Sequence, residues 1–216
     1  MDQRSGRFVV LEGIDGAGTT TQTARLVERL RAEESKAVVR ATREPSDGPI
    51  GTLIRQILTG RVISTGGRAP GWETMALLFA ADRMDHVEAE MEPVLSQGGI
   101  IVSDRYDASS LAYQSVSSGR GGEQAVAWIR ELNKQALRPD LTVVVDVPAD
   151  IAATRRMVRG EAAQLYEQNE VQRALAEFYR DLARHMPNDR VVIVDGMGSV
   201  DDVHARVYNA YRARFG

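Results

Sequence analysis

Five short apolar runs, widely spaced and rich in β-branched residues, constrain this chain more than any other feature. They occupy residues 8–11, 37–39, 100–102, 141–145 and 191–194. None alternates apolar with polar, which is the pattern of strands covered on both faces. Helical patterns lie between them, at 20–33, 72–95, 123–137, 149–158, 169–185 and 200–215. In the first of these, Thr23, Leu26, Val27 and Leu30 share one face. Strand followed by helix, five times over, predicts an α/β fold with a five-stranded parallel sheet flanked by helices. Residues 60–71, with four glycines and a proline, read as a loop. The 216 residues contain no internal repeat and suit one domain, 1–216.

Composition narrows the function. The net charge of −3 gives no global electrostatic case for nucleic acid, so an anionic ligand must be held by local positive groups. The absence of cysteine excludes disulfides, thiolate catalysis and cysteine-based zinc sites. No apolar stretch reaches about 18 residues, so no membrane span is expected. Met1-Asp2-Gln3-Arg4 has no apolar signal core, and a cytoplasmic protein is expected. The three histidines, His86, His185 and His204, are scattered and share no motif.

The first apolar run leads directly into GIDGAGTTTQ, residues 13–22. The pattern G-x-x-x-x-G-K-[ST] fits at Gly13, Gly18 and Thr20, but Thr19 stands where the lysine belongs. Glycines at 13, 16 and 18 let the backbone turn so that N–H groups point inward at phosphate oxygens. Thr20 opens a helix whose N-terminus carries roughly half a positive charge, and its hydroxyl suits Mg²⁺. The expected ATP-phosphate loop therefore runs over Gly13, Ile14, Asp15, Gly16, Ala17, Gly18, Thr19, Thr20 and Thr21. A Gly-rich strand-to-helix turn that binds no nucleotide is the alternative for the loop alone. Losing one preorganised donor costs ~10²–10³ in rate, less than an average enzyme's total acceleration of ~10⁶ or more. Arginine is plentiful: all 27 basic residues except Lys36 and Lys134 are arginine.

Asp104 follows the third apolar run. A carboxylate at a strand's C-terminal edge faces the same crevice as the phosphate loop and suits Mg²⁺. Arg105 beside it has the fork that grips a phosphate. Phe79 and Arg83 are four apart and share a helix face. Spacing alone favours a core ring and a solvated charge there.

Five segments together resemble the thymidylate kinase family: FVVLEGIDGAGTTTQ (8–22), TREPSDGPIG (42–51), LLFAADRMDH (77–86), SDRYDASSLAYQ (103–114) and RPDLTVVVDVP (138–148). They occur in the family's order and spacing and cover nearly the whole chain. The resemblance implies a P-loop nucleoside-monophosphate kinase with a short helical lid at about 155–168, acting on ATP and dTMP with Mg²⁺, as a homodimer. It makes Phe79 and Arg83 a thymine-binding pair. It places Glu44, Pro45, Arg105, Tyr113 and Gln114 around dTMP, with Tyr113 associated with excluding a ribose 2′-hydroxyl. Asp15 resembles the family's carboxylate near the acceptor sugar and phosphate. Thr20 and Asp104 would serve the metal. Arg105, Arg155 and Arg159, with Asp15, are the expected catalytic groups.

The lid departs from the family. RRMVRGEAAQLYEQ (155–168) keeps Arg155, Arg156, Arg159 and Gly160, but an Asp-Arg pair is replaced near Ala163-Gln164. With Thr19, this leaves a second reading: a nucleotide-binding pseudokinase of the same fold. A third reading is a kinase for another nucleoside monophosphate, against which the intact acceptor-side motifs argue.

Overall fold

The computed structural model describes residues 5–119, 123–159 and 169–216. All five strands form, as β1 (Arg7–Glu12), β2 (Val39–Arg43), β3 (Ile100–Asp104), β4 (Leu141–Asp146) and β5 (Val191–Asp195). They build one sheet in the order β2-β3-β1-β4-β5, every pair parallel. Central β1 serves both faces. Val9 and Leu11 belong to one apolar cluster and Phe8 and Val10 to the other, so every residue from Phe8 to Leu11 is apolar.

Both-face burial does not extend to the edges. The second strand lies at Val39–Arg43, two residues beyond the start of the apolar run at 37–39, and exposes Arg40 and Arg43. An edge strand needs one covered face, and charged residues along it resist pairing with a second sheet. Its place is set by register against β3, from Val39 opposite Ile100 to Arg43 opposite Asp104. At the other edge, β5 buries only Val194.

The helices are α1 (Thr19–Glu33), α2 (Pro49–Leu58), α3 (Trp72–His86), α4 (Glu92–Leu95), α5 (Asp107–Ser117), α6 (Glu123–Leu132), α7 (Ala149–Arg159), α8 (Asn169–Arg180), α9 (Leu182–His185) and α10 (Val200–Phe215). Three expected helices are shorter or interrupted. The 72–95 pattern is α3 and α4 joined by one wide π-helical turn, Val87–Met91. The 169–185 pattern breaks at Asp181. The 123–137 pattern stops at Leu132, after which Asn133 turns its side-chain amide back onto the Ile129 carbonyl at 2.8 Å.

Two helices have no counterpart in the apolar periodicity. In α2, Pro49 sits just inside the start, where a missing N–H costs nothing. In α5, the buried face carries Ala108, Ser110, Ala112 and Ser115 beside Leu111. Small and hydroxylated residues hide its amphipathicity.

Candidate functional site

The C-terminal ends of β1 and β3 stand side by side, with Leu11 opposite Asp104. The loop after β1 and the loop after β3 therefore open into one crevice, where ligands bind in open parallel sheets. Gly16 and Gly18 take left-handed conformations, with φ of 92° and 98°. A Cβ on Gly16 would also collide with the Ala152 backbone.

Three alternate carbonyls of this loop are each held by an arginine. Arg105 Nη1 donates to Gly13 O at 2.7 Å, Arg156 to Asp15 O, and Arg155 Nη1 to Ala17 O at 3.3 Å. The Asp15 and Ala17 N–H groups are bonded to Gln172 Oε1 and the Ile14 carbonyl, which leaves the Gly16 and Gly18 N–H groups for an anion. Arg155 and Arg156 thus act on the loop from α7. The Arg159 side chain and residues 160–168, most of the expected lid, lie outside the described residues.

Thr20 Oγ1 donates to Asp104 Oδ2 at 2.5 Å. Asp104 Oδ1 is buried and has no partner. A hydroxyl beside an unmatched carboxylate oxygen, at the mouth of a phosphate loop, is a donor set that fits Mg²⁺. Among the described residues no cluster of three His, Asp or Glu side chains offers a fuller cage. Magnesium typically takes one or two carboxylates and completes its shell with phosphates and water.

Arg105 adopts φ 73°, the left-handed region that a non-glycine residue rarely enters. Such strain costs of order 1–3 kcal/mol and collects at functional sites. The conformation brings the guanidinium to Gly13 O and, at 2.6 Å, to Asp15 Oδ1. Glu12 lies beneath it, fully buried. Its Oε1 accepts from the N–H groups of Tyr106 and Ser109, and its Oε2 from the Ser109 and Tyr179 hydroxyls at 2.6 and 3.0 Å.

Burial pushes the Glu12 carboxyl from an ordinary 4.5 up to about 7, although Arg105 and these hydrogen bonds pull it down. The folded state therefore holds a proton that the unfolded chain has released between these values. The resulting stability is fully present below about 4.5 and is lost as pH rises through about 7, a difference of about 3 kcal/mol. Glu12→Gln keeps the acceptor for both N–H groups, and the two hydroxyls can rotate to accept from its amide. Urea unfolding between pH 5 and 8 should show a flatter dependence in Glu12→Gln than in wild type.

A cavity opens beside the loop. Asp15, Glu44, Pro45, Phe79, Arg105, Tyr113 and Gln114 all line it. The Tyr113 ring lies under the Arg105 guanidinium, 5.3 Å from ring centre to Cζ. Gln114 Oε1 is buried and unmatched. A larger cleft between α6 and residues 186–189 contains the Arg138 ion pairs with Asp107 and Asp189. It holds none of the expected site residues.

Arg83 is neither solvated nor a wall residue of the cavity. It is completely buried, with Nη2 donating to Glu44 Oε2 at 2.6 Å and Ser110 Oγ at 3.0 Å, and Nη1 to Asn133. Its Nε has no partner. The last turns of α3 hold the 42–46 segment at three points, Thr42, Glu44 and Ser46. Asp82 accepts from the Ser46 N–H and hydroxyl, Arg83 pairs with Glu44, and His86 meets the Thr42 hydroxyl at 2.6 Å. The Glu44–Pro45 peptide is cis.

Gly51 packs against this segment, and a Cβ there would land on the Ser46 backbone. Gly51→Ala should destabilise the protein by about 1–3 kcal/mol despite alanine's better helix propensity. At Gly48 an added Cβ meets only side-chain oxygens, at 3.1 Å. Thermal melts should show the smaller loss for Gly48→Ala.

Glu12, Ser109, Gln172 and Tyr179 join the site although their own motifs do not point to it, and Arg156 acts on the loop where only Arg155 and Arg159 were expected to. Two signals were present. Glu12 ends an otherwise apolar run, and Gln172 falls on the buried face of α8 with Leu175, Ala176 and Tyr179.

Comparison with known proteins agrees with this geometry. The family model described as thymidylate kinase matches residues 11–207. A protein of Pyrococcus horikoshii named "Probable thymidylate kinase" is 39% identical over 202 residues, covering 94% of each chain. A Pyrococcus abyssi protein of the same name is 41% identical, covering 92% of each. The "Thymidylate kinase" of Rhodopseudomonas palustris is 38% identical over 97% of this chain and 90% of its own. A β1 loop shaped for phosphates, a β3 carboxylate facing it and a matching family model over most of the length establish that the chain belongs to the thymidylate kinase family.

Proposed function

We propose that this chain transfers the γ-phosphoryl group of ATP to dTMP, giving dTDP and ADP. The observation that carries this reading is an unmatched acceptor in the wall of the acceptor cavity, the buried Gln114 Oε1. Thymine presents an N3–H donor that can meet it. Cytosine presents an N3 acceptor instead, and an unmatched buried polar group costs about 1–3 kcal/mol. Phe79 supplies a ring for the base.

The acceptor is already a phosphate monoester, so the reaction needs little help from a general base. Alignment and charge neutralisation carry it. Residues 13–21 hold the ATP phosphates through N–H groups and the α1 N-terminus. Thr20 and Asp104 would hold Mg²⁺, which when bound neutralises phosphate charge. Asp15 and Tyr113 meet the acceptor sugar, and Arg105 stands between the loop and the acceptor cavity. Arg155 and Arg159 are assigned to the donor side.

The partner proposed for this chain is a second copy of itself, since Leu53 and Leu77 are exposed on α2 and α3. No helix among the described residues is long and apolar enough to cross a membrane. The proposed setting is the cytoplasm, where both nucleotide substrates are dissolved.

The test is ADP release from Mg·ATP with dTMP, run beside dUMP, dGMP and dCMP. The reading expects dTMP to be turned over fastest. Another monophosphate exceeding dTMP would overturn the acceptor assignment. Tight binding of ATP and dTMP without ADP release would overturn catalysis and leave a nucleotide-binding pseudokinase.

A further inference from the structure

Gln172 is completely buried on α8, yet its amide is directed at a residue 157 positions earlier. Its Oε1 accepts from the Asp15 N–H at 3.2 Å, and its Nε2 donates to Asp15 Oδ2 at 3.1 Å. Arg105 holds the other carboxylate oxygen, and Arg156 holds the Asp15 carbonyl. Every polar atom of Asp15 therefore has a protein partner, and Gln172 supplies two of the four. The Asp15 side chain remains about a third exposed and faces the acceptor cavity.

We propose that Gln172 is the positioning residue for Asp15, fixing the direction of its carboxylate in the acceptor cavity and so the affinity for the acceptor. This rests on the assignment of dTMP to that cavity. The chemistry requires two points of hold. Arg105 alone grips one oxygen, about which the carboxylate can swing. An amide that binds the main-chain N–H and the second oxygen together closes a ring with the backbone and removes that freedom. The placement is costly unless it serves such a hold. Gln172 occupies the core-facing position of an amphipathic helix, beside Leu175 and Ala176, where an amide without hydrogen bonds is penalised by roughly 1–3 kcal/mol.

The experiment is a double-mutant cycle on the full chain, with dTMP affinity measured by calorimetry and KM measured for both substrates. Gln172→Ala should raise Kd and KM for dTMP by about tenfold, the usual scale for a hydrogen bond to a charged group, and change KM for ATP less than about twofold. In an Asp15→Ala background, the same substitution should add nothing. Gln172→Met fills the space without the amide, keeps α8 packed, and should reproduce the dTMP defect if the alanine variant folds poorly.

Losses that are additive with Asp15→Ala, or equal for dTMP and ATP, would overturn the proposal and leave Gln172 a packing residue. A folded Gln172→Met that binds dTMP as wild type does would overturn it as well. A wild-type chain that binds no dTMP overturns the acceptor assignment and this proposal together. One that binds dTMP while the cycle is additive overturns this proposal alone.

Discussion

Arg105→Ala should lower dTMP-dependent ADP release by roughly 10³-fold, the upper range for removing one preorganised donor. Three losses coincide. The Gly13 carbonyl is released, so the loop can turn an oxygen toward the phosphates where N–H groups should point. Asp15 loses the cation on Oδ1. Glu12 loses the charge that most opposes its upward pKa shift. Arg105→Lys should recover little, because one ammonium cannot span Gly13 O and Asp15 Oδ1 as a planar fork does. The assay compares kcat and both KM values in the three proteins. Retention of more than a tenth of wild-type kcat in the alanine variant would remove Arg105 from the machinery.

Thr19→Lys should raise kcat by about 10²-fold, the low end of what one preorganised donor contributes. Thr19 is the first residue of α1, is only 5% exposed, and lies beside the Gly13 backbone. A lysine there would place a point charge on the transferring phosphates. The arginines that surround the loop grip its carbonyls and do not duplicate that position. A gain in kcat with little change in KM for dTMP would mean that the native loop turns over at a reduced rate. An unchanged kcat would mean that the neighbouring guanidinium groups already supply the charge, and Arg155→Ala in both backgrounds would then be the informative comparison.

What could be read from sequence follows the range of the forces involved. The phosphate loop, Asp104 and the three central strands are local features: apolar runs of fixed length, glycines where the backbone must turn, a carboxylate at a strand end. In the cavity wall, Tyr113 and Gln114 come together from α5 and Glu44 and Pro45 together from the segment after β2, while α3 brings Phe79. The edge strand β2 was misplaced by two residues because β3, not its own apolarity, sets its register. Helix α5 was hidden because its buried face packs through alanine and serine. Arg83 shows the limit on site residues. Spacing put it on the Phe79 face, but only tertiary structure reveals that Glu44, Ser110 and Asn133 enclose its guanidinium. Gln172 and Tyr179 reach Asp15 and Glu12 across 157 and 167 residues, and no local pattern encodes such a pairing.

The phosphate loop is gripped by guanidinium groups and has no amine of its own. Both lysines are exposed elsewhere, Lys36 beyond the far end of α1 and Lys134 after α6. Acylating probes built on ATP capture a protein through an amine close to the bound phosphates, so this chain would pass through such a capture unlabelled while binding the nucleotide. Arginine-directed dicarbonyl reagents meet the opposite situation: their targets lie against the loop itself, and bound ATP should slow their reaction.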